Sequence, residues 1–268
     1  MKSLIAATLF SILTPYACFS DVITTKGQEI IEKNSNAVIT LQLVIKQKVS
    51  FGGSPSQDNE SKVDATGTVI NADGLTLVSL SQIDPTVMLE SMMAGNPQLA
   101  QLNMETEIQD AKLVLEDGTE IEAEIVLRDK DLDMAFARPK SKPEEPFDFI
   151  NLESSADAVY LEEIISLNRL GKVAKRVHAA SVERISAIVE KPRKFYVPGN
   201  AQTQTGLGSP AFSLDGNLIG VFLLKTAQGS GNSLGSMMGG GMANNLMSII
   251  LPTIDIADAA SQVPPFAE

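Results

Sequence analysis

Apolar and polar residues alternate along most of this chain, which is the two-residue period of β-strands with one face in a core. Residues 37–49 show it first, with Val38, Leu41, Leu43 and Ile45 on one face. Asp-Gly pairs follow several such segments and are typical of hairpin turns. The same pattern predicts further strands at 66–70, 75–80, 111–127, 133–137, 159–167, 177–189 and 247–251.

Three segments depart from this alternation and predict helices. Residues 21–36 and 252–262 have helical spacing, and residues 84–110 predict two short helices inserted after the first hairpin. Polar segments at 52–62 and 228–245 predict loops.

Strands at short spacing in two halves indicate an all-β fold of two barrels with short terminal helices. The first barrel is expected at about 37–138 and the second at about 151–262, joined by a proline-rich, charged linker at 139–150 and followed by a tail at 263–268.

The first 20 residues predict a signal peptide. Lys2 precedes an apolar run at 4–13, and Cys18-Phe19-Ser20 fits a cleavage site with small residues. The apolar run is too short to span a bilayer. We expect an exported, periplasmic or secreted protein without a membrane span, which would lose its only cysteine on cleavage after Ser20. The alternative is cleavage before Cys18 with a lipid attached to that residue.

Composition and charge exclude several classes of ligand. The net charge of −12 argues against a nucleic-acid partner, which requires clustered Lys and Arg. The segment 169–194 holds eight basic residues, for which a solvated barrel face is the simpler interpretation and an anionic partner site the sharper one. The sequence has no Cys/His cluster, so we expect no metal site. It has no glycine-rich loop between a strand and a helix, so we expect no phosphate or cofactor site.

Three motifs occur in the order found in one protease family. Residues 65–83 contain a Gly-Thr-Val strand and an Asp-Gly turn, residues 113–118 and 128–135 contain Leu-Glu-Asp-Gly and Arg-Asp-Lys-Asp-Leu-Asp-Met-Ala, and residues 206–211 read Gly-Leu-Gly-Ser-Pro-Ala. This pattern resembles the HtrA/Deg-type branch of the trypsin-like serine proteases. The resemblance implies a double six-stranded β-barrel. It places the family's catalytic His, Asp and Ser on Ser81, Asp133 and Leu207.

The triad mechanism needs a hydroxyl that attacks, an imidazole that takes its proton and a carboxylate that orients the imidazole. Leu207 has no hydroxyl and Ser81 has no basic nitrogen. The only histidine, His178, is expected in a second-barrel strand. Ser81 and Ser209 lack a base, and no lysine stands at a matched position. Glycine has also moved within the turn that would supply oxyanion donors.

The sequence therefore predicts a serine-protease homologue without an intact catalytic triad, which binds a peptide or protein partner and can form oligomers. Two alternatives remain: an active peptidase with rearranged catalytic residues, and a structural subunit that pairs with an active paralogue.

Overall fold

Antiparallel strands form most of the chain, as the alternation predicts. The computed structural model describes residues 19–51, 57–87, 102–199, 206–226 and 246–266. The predicted signal peptide, apart from its last two residues, and the whole loop at 228–245 lie outside the described residues. The same holds for the middle of the predicted helical insertion.

The first barrel closes in the strand order β1-β2-β3-β6-β5-β4. Its side chains alternate between a buried interior and a polar exterior, and Leu41, Leu43 and Leu113 are fully buried. The strands are β1 (Val38–Phe51), β2 (Gln57–Val69), β3 (Thr76–Ser79), β4 (Leu102–Val114), β5 (Glu120–Asp129) and β6 (Met134–Pro139).

The second barrel closes in the order β10-β11-β12-β9-β8-β7. Tyr196, Ile219 and Ile250 fill its interior, together with Ile164 and Ile185. The strands are β7 (Glu163–Arg169), β8 (His178–Val189), β9 (Phe195–Pro198), β10 (Pro210–Ser213), β11 (Leu218–Thr226) and β12 (Leu246–Pro252). The two closed six-stranded barrels confirm the predicted fold class.

The α-helices whose bounds lie within the described residues are α1 (Phe19–Asn34), α2 (Leu80–Ile83) and α3 (Thr253–Ala260). Helix α1 buries Ile30 against the main core, and α3 buries Ile256 and Ala259 in a second cluster with residues of both barrels. Among the described residues, none of the helices has the length and apolar character that crossing a membrane requires.

The predicted helical insertion at 84–110 is wrong from Leu102 onwards, because β4 begins there and pairs with β1 as far as Val114. From Met104 to Asp110 the side chains alternate between half-buried and exposed, which is the period of a strand rather than a helix. The predicted loop at 52–62 is likewise shorter than expected, because Gln57 already begins β2.

The barrels meet along a seam in which β2 of the first barrel faces the second. The Thr66 hydroxyl donates to Asn168 Oδ1 at 2.7 Å, and the Thr68 hydroxyl donates to the Gly208 carbonyl at 2.7 Å. Both threonines are buried. These hydrogen bonds fix the turn at 206–209 against the first barrel, so the positions of Ser81, Asp133 and Leu207 depend on this seam.

Candidate functional site at the inter-barrel seam

Asp133 occupies the turn between β5 and β6, and its backbone conformation is left-handed, with φ at 57°. Asp is one of the few residues that adopt this conformation without a large steric cost. The Asp129 side chain shapes the same turn, since its Oδ1 accepts the N–H groups of Asp131 and Leu132 at 2.9 and 3.0 Å. The turn directs the Asp133 side chain into the seam, where only 4% of the residue is exposed.

The Asp133 carboxylate accepts hydrogen bonds from both barrels. In the first barrel, Ser79 Oγ donates to Oδ2 at 2.6 Å, and the N–H and hydroxyl of Ser81 donate to Oδ1, the N–H at 2.7 Å. In the second barrel, the Leu224 N–H donates to Oδ2 at 2.7 Å. Burial raises the pKa of the Asp133 carboxyl, and these donors oppose that shift. The carboxylate therefore links the two barrels through these hydrogen bonds.

Leu207 stands at the turn that enters β10, between two glycines whose φ angles are positive. The Ser209 N–H donates to the Gly206 carbonyl at 3.0 Å, which closes the turn. Only 2% of Leu207 is exposed. The position that the protease motif assigns to the nucleophile is thus a buried apolar side chain.

The neighbouring polar groups of this turn do not supply a substitute. Ser209 is fully buried, and its hydroxyl has no hydrogen-bond partner among the described residues. The Gly208 N–H donates to the Phe222 carbonyl at 2.7 Å. With the Ser209 N–H also bonded inside the turn, neither of these N–H groups is free to stabilise an oxyanion.

His178 lies at the start of β8 and is half-buried, as predicted. Its Nε2 atom is 3.1 Å from both Arg169 Nη1 and the Val38 carbonyl oxygen, and its Nδ1 atom is 3.5 Å from Glu116 Oε1. None of these partners belongs to the group formed by Ser81, Asp133 and Leu207. The single imidazole of the chain therefore does not serve that group.

Comparison with known proteins decides the family. Residues 65–221, which are more than half of the chain, match the family described as the trypsin-like peptidase domain. The chain belongs to the trypsin-like peptidase family. No curated protein matches its sequence.

A solved structure supports the same fold. It is that of AlgW, an HtrA-type protease with its serine replaced by alanine, with a decapeptide. The TM-score is 0.55 and the sequence identity 15%, over 88% of this chain and 65% of that chain. This chain therefore covers less than two thirds of the length of that HtrA-type protease.

In this member of the trypsin-like family, the structure brings Ser81 and Asp133 into contact and buries Leu207 in the turn at 206–209, which meets the first barrel through Gly208. Sequence reasoning missed Ser79 and the Leu224 N–H as partners of Asp133. Ser79 stands near the end of the predicted strand at 75–80, two residues before Ser81, and this position could have indicated it. The Leu224 N–H is a backbone group 91 residues from Asp133 in sequence, and it has no sequence signature.

Several arginines of the basic segment at 169–194 form ion pairs within the chain. Arg176 contacts Asp64, Arg184 contacts Glu163 and Arg193 contacts Asp255, so much of the positive charge faces carboxylates of the same chain. For these three arginines, the pairing favours the simpler interpretation of a solvated face. Within the described ranges, no three His, Cys, Asp or Glu side chains form a group suited to a metal ion.

Proposed function

We propose that this trypsin-like protein is non-catalytic and binds a peptide or protein partner at the seam between its barrels. The observation that carries the proposal is the buried leucine at the nucleophile position. Replacement of either the serine or the histidine of a protease triad lowers kcat by about a millionfold in subtilisin, and here both positions have changed. The structure of the HtrA-type protease AlgW, which has a similar fold, was solved with a decapeptide, and this supports a peptide as the partner.

An active peptidase is the second candidate, because the Ser81 hydroxyl contacts the Asp133 carboxylate. In that arrangement Asp133 would have to act as the base. Burial raises the pKa of the Asp133 carboxyl, but its oxygens already accept two backbone N–H groups and the Ser79 hydroxyl, and these donors oppose that rise. The non-catalytic proposal accounts for these contacts without a reaction.

Fluorescein-labelled, reduced casein tests binding and hydrolysis together. We expect the purified protein to raise the fluorescence anisotropy of the casein and to release no acid-soluble fragments. Ser81→Trp should weaken binding about tenfold or more, equivalent to about 1.4 kcal/mol, by filling the seam with an indole ring. Ser81→Ala is the matched control, since it loses the same hydroxyl without adding bulk, and should bind as the parent does.

Two results would contradict the proposal. Fragment release that disappears in Ser81→Ala or Ser209→Ala would establish an enzyme. Absence of both binding and hydrolysis would favour the structural-subunit alternative, which size measurement of the native complex then tests.

We further propose that the protein is exported, on the strength of the charged start, apolar run and small-residue site in its first 20 residues. The intact mass of the protein recovered from the producing cells should correspond to a chain that begins at Asp21 and has no thiol. A mature chain that begins with a lipid-modified Cys18 would place it at a membrane instead.

A further inference from the structure

The hairpin between β7 and β8 ends in an exposed apolar tip, residues 170–177. Leu170 is 39% exposed, Val177 is 52% exposed and Val173 is completely exposed. Lys172 and Lys175 lie on the same tip and are exposed, and Lys172 Nζ also lies 3.7 Å from Asp64 Oδ1 of β2. A single exposed apolar residue needs no explanation, but three in one turn among cations form a surface suited to an apolar and acidic partner.

The tip is held in one conformation by the chain itself. Lys175 and Arg176 both have φ at 55°, a left-handed conformation that is unfavourable for residues with a side chain. Hydrogen bonds from the Leu170 N–H to the Val177 carbonyl and from the Ala174 N–H to the Gly171 carbonyl, both of 3.0 Å, close the turn. Arg176 Nε donates to Asp64 Oδ2 at 2.8 Å and ties the tip to β2. The exposed valine is therefore presented by an ordered turn.

A groove of complementary character lies beside the turn between β4 and β5. It has a volume of about 770 Å³ and runs between that turn and the linker at 139–148. Leu115, Ile121 and Phe147 give it apolar walls. Its carboxylates outnumber its one lysine: they belong to Glu116, Asp117, Glu144, Glu145 and Asp148.

The groove and the tip are neighbours on the surface of one molecule. Glu116, on the edge of the groove, lies 3.5 Å from His178, the residue that follows the tip. The complete exposure of Val173 shows that the groove of the same molecule does not enclose it. The basic, apolar tip of a second copy has the chemistry that matches the acidic, apolar groove.

We propose that two copies of this protein form a dimer in which the tip of each enters the groove of the other. A two-fold axis places residue i against residue j and j against i, so two adjoining and complementary features are satisfied together. The groove volume lies in the range of about 300–1,000 Å³ of pockets that enclose compact ligands, which is sufficient for the apolar side chains of one tip. The dimer does not depend on whether the seam binds peptides.

Charge reversal tests the dimer by analytical ultracentrifugation over a concentration series. The tip variant is Lys172→Glu with Lys175→Glu, and the groove variant is Glu144→Lys with Glu145→Lys. We expect the parent to dimerise and each variant alone to associate at least about a hundredfold more weakly, because like charges then face each other at both contacts. An equimolar mixture of the two variants should recover the dimer, since each reversed tip then meets a reversed groove.

The matched control is Lys33→Glu with Lys191→Glu, which changes the net charge as the tip variant does but at exposed lysines outside both features. It should dimerise as the parent does. A parent that stays monomeric at all concentrations overturns the proposal and leaves the groove to a basic, apolar peptide. A dimer that survives in both variants, or a mixture that remains monomeric, overturns it equally.

Discussion

Gly208→Ala should lower the free energy of unfolding by more than about 4 kcal/mol, a loss reached by few single substitutions. A Cβ atom on Gly208 would lie 2.1 Å from the Thr66 carbonyl oxygen, far inside van der Waals contact. The obstacle is backbone of a central strand, which cannot rotate away as a side chain can. The φ angle of 81° adds the cost of a left-handed conformation for alanine.

Gly118→Ala is the matched control for that experiment. Its φ angle of 87° is nearly the same, but a Cβ atom there meets nothing within 4 Å. It should cost only about 1–2 kcal/mol, the penalty for the left-handed conformation alone. Denaturant unfolding of both variants measures the difference, which reports how closely the turn at 206–209 approaches β2. Equal losses in the two variants would show that the two barrels are not in this close contact.

Leu207→Ser should destabilise the protein by about 2–5 kcal/mol and should not create a protease. The loss follows from removing a large side chain that is 98% buried and leaving a hydroxyl in its cavity. Leu161→Ser is the control, because Leu161 is 71% exposed and its replacement should change the stability by no more than about 0.5 kcal/mol.

A fluorophosphonate that labels activated serines measures the second part of this prediction. Leu207→Ser should not react, because Ser81 cannot take a proton from the new hydroxyl. Ser81→His combined with Leu207→Ser should react slowly at best, since the N–H groups of Gly208 and Ser209 are already bonded within the chain. Rapid labelling of the single variant, or a gain in stability, would mean that Leu207 does not occupy the nucleophile position.

Asp133 accepts hydrogen bonds through both of its carboxylate oxygens. In a triad the carboxylate orients an imidazole; here one oxygen accepts the N–H and the hydroxyl of Ser81. Its other oxygen binds Ser79 and Leu224. An ionised, buried carboxylate is costly without such donors, so its retention is explained by the connection it makes between the barrels.

The sequence by itself determined the two-barrel class and the turn positions, and it predicts which residues stand at the triad positions. These features are local: alternation reflects the two faces of a strand, and Gly74 and Gly118 supply the positive φ that their turns require. The prediction that Leu207 stands at the nucleophile position is local in the same way, because it follows from the motif at 206–211 alone.

Only the tertiary structure decided the partners of Asp133, the extent of β4 and the character of the surface. The Leu224 N–H reaches Asp133 across 91 residues, and β4 continues to Leu102 because β1 offers it unpaired backbone groups. The basic segment meets its acids, and the exposed tip at 170–177 adjoins the acidic groove, only after the barrels close. Such contacts join residues that are remote in sequence, and neither local periodicity nor composition encodes which surfaces will meet.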